Sequence, residues 1–382
     1  MDFDLTEEQS MLKDSLNRLL ADTYGFEQRR RHMAAPEGWS GEMWGRYAEM
    51  GLMALPFDEA DGGLGGSTVE TMIVMEAMGR ALVLEPYFPT VVLGGAMLRF
   101  GASEDQRAEY VPQVADGTLK LALAHTERHS RYDLHQVETT ARQDGDGWVL
   151  SGAKSVVLHG DSADRIFVTA RTAGGTRDEG GIGIFLVDAK ADGLSRRGYV
   201  MQDGQRGAEI RLDRVRVSAD ELFGDPENGL AVLRRVVDAG IAALCAEAIG
   251  AMDVMRELTV DYIKTRKQFG VPIGAFQVLQ HAAVDMFVAT EQARSLAVYA
   301  TMMADSEDAD ERVRAMHAAK SEIGKAGKLV GENAIQLHGG VGMTMEYAVG
   351  HYFKRMTMID ISLGDHEHHL RELARKGGLV EA

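Results

Sequence analysis

The 382-residue chain has a single cysteine, Cys245, so no intrachain disulfide can form and a zinc site built on cysteines is excluded. It has no excess of positive charge. Its 41 Lys and Arg stand against 58 Asp and Glu, a formal net charge of −17. That argues against nucleic acid as a partner, because phosphate binding needs clustered Lys and Arg. No apolar run reaches membrane-spanning length. The opening residues, MDFDLTEEQS, are acidic, which is wrong for a signal or transit peptide. One reduced thiol suits the cytosol, so the expected location is cytoplasmic. Internal repeats and low-complexity tails are also lacking. What remains is 45% hydrophobic and 26% charged, the composition of an ordinary globular protein with a large core.

Three segments follow from the patterning: a helical one over 1–123, a β-rich one over 124–228 and a second helical one over 229–382. Thr6 to Gln9, TEEQ, has the form of a capping box, and Met11, Leu12, Leu16, Leu19 and Leu20 then recur at helical spacing. In the middle segment TTARQDGDGWVLSGAK reads as a hairpin, and IGIFLVDA and AEIRLDRVRV as further strands. Short strands with no helix between them indicate an antiparallel barrel or sandwich. Beyond FGDPENG, helices are predicted at about 229–266, 274–303, 308–336 and 366–376, which suggests a bundle.

Two stretches carry the chemistry. YIKTRKQFGVPIGAFQVLQH, Tyr262 to His281, ends one helix with Arg266, Lys267 and Gln268, stops at Phe269–Gly270 and opens another near Gly274. AIQLHGGVGMTMEY, Ala334 to Tyr347, holds paired glycines that let backbone approach a ligand closely. Either alone is weak. The P-loop spacing is absent and no strand precedes the glycines, so a Rossmann site is not supported.

In this order and at this distance, the two stretches resemble the C-terminal domain of the acyl-CoA dehydrogenase family. MWGRYAEMGLMALPFDEADGGLGG and GDGWVLSGAKSVVLHGDSADRIFVTART are similar to its N-terminal and central parts, so the resemblance covers essentially the whole chain. Within the family the chain looks closest to the small subunit of pimeloyl-CoA dehydrogenase. The resemblance implies an α+β fold: an N-terminal helical domain, a central antiparallel β-barrel and a C-terminal four-helix bundle. It implies FAD, held between the β domain and the last helical domain. It also implies a tetramer, homomeric or with a large subunit, in which one subunit completes its neighbour's FAD site. Arg266 would meet the pyrophosphate with a planar, permanently charged fork. Phe269 would pack on the adenosine half, Gln277 would bond near the adenine, and Gln336, Gly339 and Gly340 would take the pyrophosphate side. The reaction implied removes one hydrogen from each of the α and β carbons of an acyl-CoA, medium-chain or dicarboxylyl like pimeloyl-CoA, with electrons passed to an electron-transferring flavoprotein.

The family's usual base is the Glu of a Glu–Gly–Thr. Counting on from Arg355, its place falls at Gly364, inside DISLGDHEHHL. Three readings follow. The base is Glu247, one acid in the otherwise uncharged run IAALCAEAIGAM, unless that acid is structural and paired with Arg256 or Arg266. Or it is Asp365, one residue late, whose reach would be poor. Or there is no base, and the chain completes the cofactor site of a catalytic partner. A metal site fails on spacing, because His366–Glu367 is followed by His369 rather than by a His at 370.

LAHTERHSRYD, Leu123 to Asp133, stands where the family contacts flavin and thioester. Thr126 matches and is expected at the flavin. His125, Arg128, His129 and Arg131 are added cations; they line a solvated loop or meet the CoA phosphates, or they attract an acidic substrate, for which Arg131 is the candidate. Val156 replaces the aromatic residue that often backs the flavin.

Overall fold

The computed structural model describes residues 5–379; the acidic Met1–Asp4 lies outside the described residues. The capping box closes as expected. Thr6 accepts from the backbone of Gln9, the Gln9 side chain returns to Thr6, and helix α1 (Glu7–Thr23) starts there. Helices α2 (Phe26–Ala34), α3 (Gly41–Glu49) and α4 (Thr68–Ala81) follow. Phe88–Gly94 winds with wide π-type turns, buried throughout, and leads into α5 (Gly95–Gly101) and α6 (Glu104–Ala115).

The strands are β1 (Leu121–Ala124), β2 (Thr140–Asp144), β3 (Gly147–Leu158), β4 (Arg165–Arg171), β5 (Ile182–Asp188), β6 (Leu194–Val200), β7 (Arg206–Val217) and β8 (Leu222–Phe223). Helix α7 (Gly229–Thr265) ends at a small ribbon of β9 (Lys267–Gln268) and β10 (Val271–Pro272). Then come α8 (Gln277–Met303), α9 (Ala309–His338), α10 (Ala348–Ile361) and α11 (His366–Arg375). Four of these late helices match the predicted spans. Helix α10 was not predicted.

The chain folds into two compact units, one from 1–31, 68–83 and 241–382, the other from 32–67 and 84–240. In the second unit the strands form one eight-stranded sheet in the order β6-β7-β3-β2-β4-β5-β8, with β1 against β4. The α+β class stands, but the sheet is mixed rather than purely antiparallel. β1 runs parallel to β4, and β2 meets β4 in parallel at Thr140–Arg171. Sequence spacing exposed only the local β2–β3 hairpin; both parallel pairs join strands separated by loops and other strands. Leu150, Val157, Ile166, Val168, Phe185 and Ile210 form its core.

In the helical unit α9 is the axis on which α8, α10 and α11 pack. Helices α4 and α7 approach backbone to backbone. A Cβ on Gly79 would lie 2.0 Å from the carbonyl oxygen of Glu247, so only glycine fits. Among the described residues no helix is long and apolar enough to cross a membrane.

Candidate active site

The loop between α10 and α11 carries the position of greatest interest. Leu363 and Gly364 both take positive φ, 57° and 112°. A bulky residue in that region is held there only by its surroundings. Here three side-chain bonds hold it. Lys320 of α9 donates from Nζ to the carbonyls of Asp360 (2.7 Å) and Gly364 (2.6 Å), and His369 of α11 meets the carbonyl of Leu363 at 3.0 Å. His369 Nδ1 also lies 2.8 Å from His317 Nδ1.

The carbonyl of Leu363 can only accept, so His369 Nε2 carries the proton. Nδ1 of the neutral ring is then the acceptor, and His317 must donate from its own Nδ1. Burial pushes both imidazoles down, His317 to about 4 and His369 to about 2, with nearby cations and imidazoles adding to the effect. Burial likewise brings the Lys320 ammonium down to about 8. Gly364 supplies no acid or base. Asp365 serves as the N-cap of α11, accepting from the His368 amide at 2.8 Å. Among the described residues no group of three or more His, Cys, Asp or Glu is arranged to hold a metal ion.

Glu247 sits on α7, 4% exposed. Its two oxygens accept from Nε and Nη2 of Arg355 at 2.6 and 2.7 Å. The structural partner is therefore Arg355, on α10, and not Arg256 or Arg266. Arg256 turns to Asp253 at 3.3 Å, and Arg266 is exposed beyond the end of α7.

Six predicted cofactor residues lie in the helical unit. Phe269 and Gly270 form the two-residue tip of the β9–β10 ribbon, with φ of 54° and 82°. Such a tip normally has Asn or Gly at its first position. Phe269 is nonetheless 93% exposed, an apolar ring presented outward on a strained backbone. Gln277 opens α8, whose N-cap Phe276 makes no side-chain cap bond. At the end of α9, Gln336, Gly339 and Gly340 are exposed, and a Cβ on either glycine would meet nothing within 4 Å. The two stretches converge where the Tyr262 ring stacks on His338 at 4.5 Å between centroids. A planar apolar ring, a free fork of positive charge, a helix start without a side-chain cap and open glycine backbone fit a dinucleotide.

Thr126 and Arg131 belong to the other unit. Glu127, beside Thr126, is buried and accepts from Lys154 Nζ (2.7 Å) and from the amides of Glu138 (2.7 Å) and Thr139 (3.0 Å). These bonds close the base of loop 127–139 and hold Thr126 at its root. Burial lowers the Lys154 ammonium to about 8, against the pull of Glu127. Arg131 is exposed at φ 46°, its guanidinium over the Tyr132 ring. Val156 is also exposed and takes φ 53° at a register shift of β3.

A cavity of about 660 Å³ opens between α1, α4 and α7 in the helical unit. Lys13 is paired with Glu76 (3.1 Å), and Arg294 with Asp253 (2.8 Å). None of the predicted site residues lines it.

Sequence comparison covers nearly all of the chain. The N-terminal, middle and C-terminal domain models of acyl-CoA dehydrogenase match residues 6–118, 122–215 and 227–378. A probable acyl-CoA dehydrogenase, YngJ, of Bacillus subtilis is 29% identical over 98% of this chain and 99% of its own length. Acyl-CoA dehydrogenase FadE12 of Mycobacterium tuberculosis is 30% identical over 90% of this chain and 89% of its own. Among solved structures, a variant of the Tcur3481–Tcur3483 steroid ACAD superposes with a TM-score of 0.87 at 29% identity, covering 97% of both chains.

Proposed function

The chain belongs to the acyl-CoA dehydrogenase family, oxidoreductases that act on CH–CH donors with FAD, and we propose that it is the cofactor-completing subunit of a heteromeric member. In this reading the carboxylate that takes the α proton comes from a different chain. What supports it is the α10–α11 loop, where Gly364 stands at the position that the family resemblance gives to the base, and where a Cβ would lie 2.4 Å from His369 Nε2. Glu247 offers no replacement while Arg355 holds both its oxygens, and Asp365 is occupied as a helix cap.

FAD, when bound, would accept the β-hydride as the α proton leaves. This chain's own residues would do the holding. Arg266 neutralises the pyrophosphate, Phe269 covers the adenosine, Gln277 bonds near the adenine, and Gln336, Gly339 and Gly340 admit the phosphates close to backbone. Thr126 would meet the flavin from a loop root fixed by Glu127. All six residues of the helical unit are exposed in the single chain, which supports a second subunit covering the same cofactor. The substrate class in this reading is a medium-chain or dicarboxylyl-CoA, with Arg131 the candidate to meet a distal carboxylate, the acceptor an electron-transferring flavoprotein, and the setting the cytoplasm.

A second reading keeps Glu247 as base of a homomeric enzyme, favoured only by its burial on α7. Hydrogen exchange separates the two. The FAD-loaded chain is incubated in D2O with octanoyl-CoA, and deuterium at the α carbon is read by mass spectrometry. A chain without a base leaves the thioester unlabelled. Labelling that Glu247→Gln abolishes while the variant stays folded with FAD bound would establish the second reading instead.

A further inference from the structure

Gly364 is confined by its neighbours as well as by its backbone. At φ 112° it occupies a region that L side chains rarely enter. A Cβ there would lie 2.4 Å from Nε2 and 2.9 Å from Cδ2 of His369, with Cδ2 of His368 also at 2.9 Å. His369 has little room to yield. It is 2% exposed and bonded through one nitrogen to Leu363 and through the other to His317, on a different helix. The backbone cannot easily retreat either, because Lys320 holds the carbonyls on both sides of the loop.

We infer that His369, fixed by His317, is a plug: a positioning residue that takes the volume in which any side chain at 364 would begin. The chain is then not one substitution away from regaining a carboxylate at that position. This deepens the reading of the chain as a subunit without a base. It rests on packing, however, and its test involves no turnover.

The test is a double-mutant cycle on the full FAD-loaded chain, followed by denaturant unfolding. Gly364→Ala adds one methyl group and should weaken folding through three causes: the backbone conformation, the clash with His369 and the lesser contact with His368. His369→Ala removes only the second cause. The same Gly364→Ala change should therefore reduce the folding equilibrium constant about tenfold less in the His369→Ala background than in the parent, a coupling typical of residues in contact. An equal loss in both backgrounds overturns the inference. Should His369→Ala not fold, His317→Ala serves as the background. It frees His369 from α9, and the loss on Gly364→Ala should again shrink; an unchanged loss there also overturns it. Deuterium labelling by the unmodified chain would refute the proposed function while leaving this cycle unaffected.

Discussion

Arg355 holds both carboxylate oxygens of Glu247, Nε at 2.6 Å and Nη2 at 2.7 Å, and joins α7 to α10 across 108 residues of sequence. Removing one partner of a buried pair leaves the other charge facing a neutral group. Glu247→Gln is expected to lower stability by about 3–5 kcal/mol. Replacing both residues by Leu and Met is expected to cost less than either single change. Urea unfolding of the three variants checks this. A Glu247→Gln chain as stable as the parent would show that the pair is not structural.

The buried imidazoles make stability depend on acid. His125 and His317 are held to about 4 and His369 to about 2, against an ordinary value of 6.5, in each case by burial first. Each is neutral in the fold and gains a proton on unfolding once the pH drops below 6.5. Their contribution is thus complete above 6.5 and is lost as the pH falls toward 4. The expected slope is up to about 1.4 kcal/mol per pH unit for each such group. Unfolding midpoints between these limits check the sign, and His369→Gln should flatten the curve.

Much of the fold is legible in the sequence. The capping box at Thr6, the β2–β3 hairpin and the long late helices follow from residue pattern alone, because their signals are local. Helix α10 was missed although Val349, Tyr352, Met356 and Ile359 recur at helical spacing; the glycine cluster just before it reads as loop. The partner of Glu247 was not legible, since nothing local links α7 to Arg355. Nor was the reason for glycine at 364, which lies in a ring five residues later turned back across the start of α11. The mixed pairing of β1 with β4 was hidden for the same cause: distance along the chain.

Phe269 tests the cofactor corner. Phe269→Gly relaxes a positive φ and removes a ring that is 93% exposed, so the isolated chain should unfold within about 1 kcal/mol of the parent. The dissociation constant for FAD should nevertheless rise roughly tenfold as the adenosine loses its cover. Flavin fluorescence titration measures this. Unchanged affinity would remove Phe269 from the site.

Arg131 tests the substrate class. In the assembled enzyme, Arg131→Ala is expected to reduce turnover of pimeloyl-CoA relative to octanoyl-CoA by about two- to fivefold, the range of a partly exposed charge pair. Equal losses on both substrates would show that the loop does not select for the distal carboxylate.

In the proposed function this chain holds FAD but lacks its own proton acceptor. The most direct measurement is anaerobic. The purified chain is reconstituted with FAD and mixed with pimeloyl-CoA or octanoyl-CoA while the oxidised-flavin absorbance is followed. The predicted result is bound flavin that stays oxidised with either thioester. Bleaching by the chain alone would contradict the account, and would return the search for a base to Glu247.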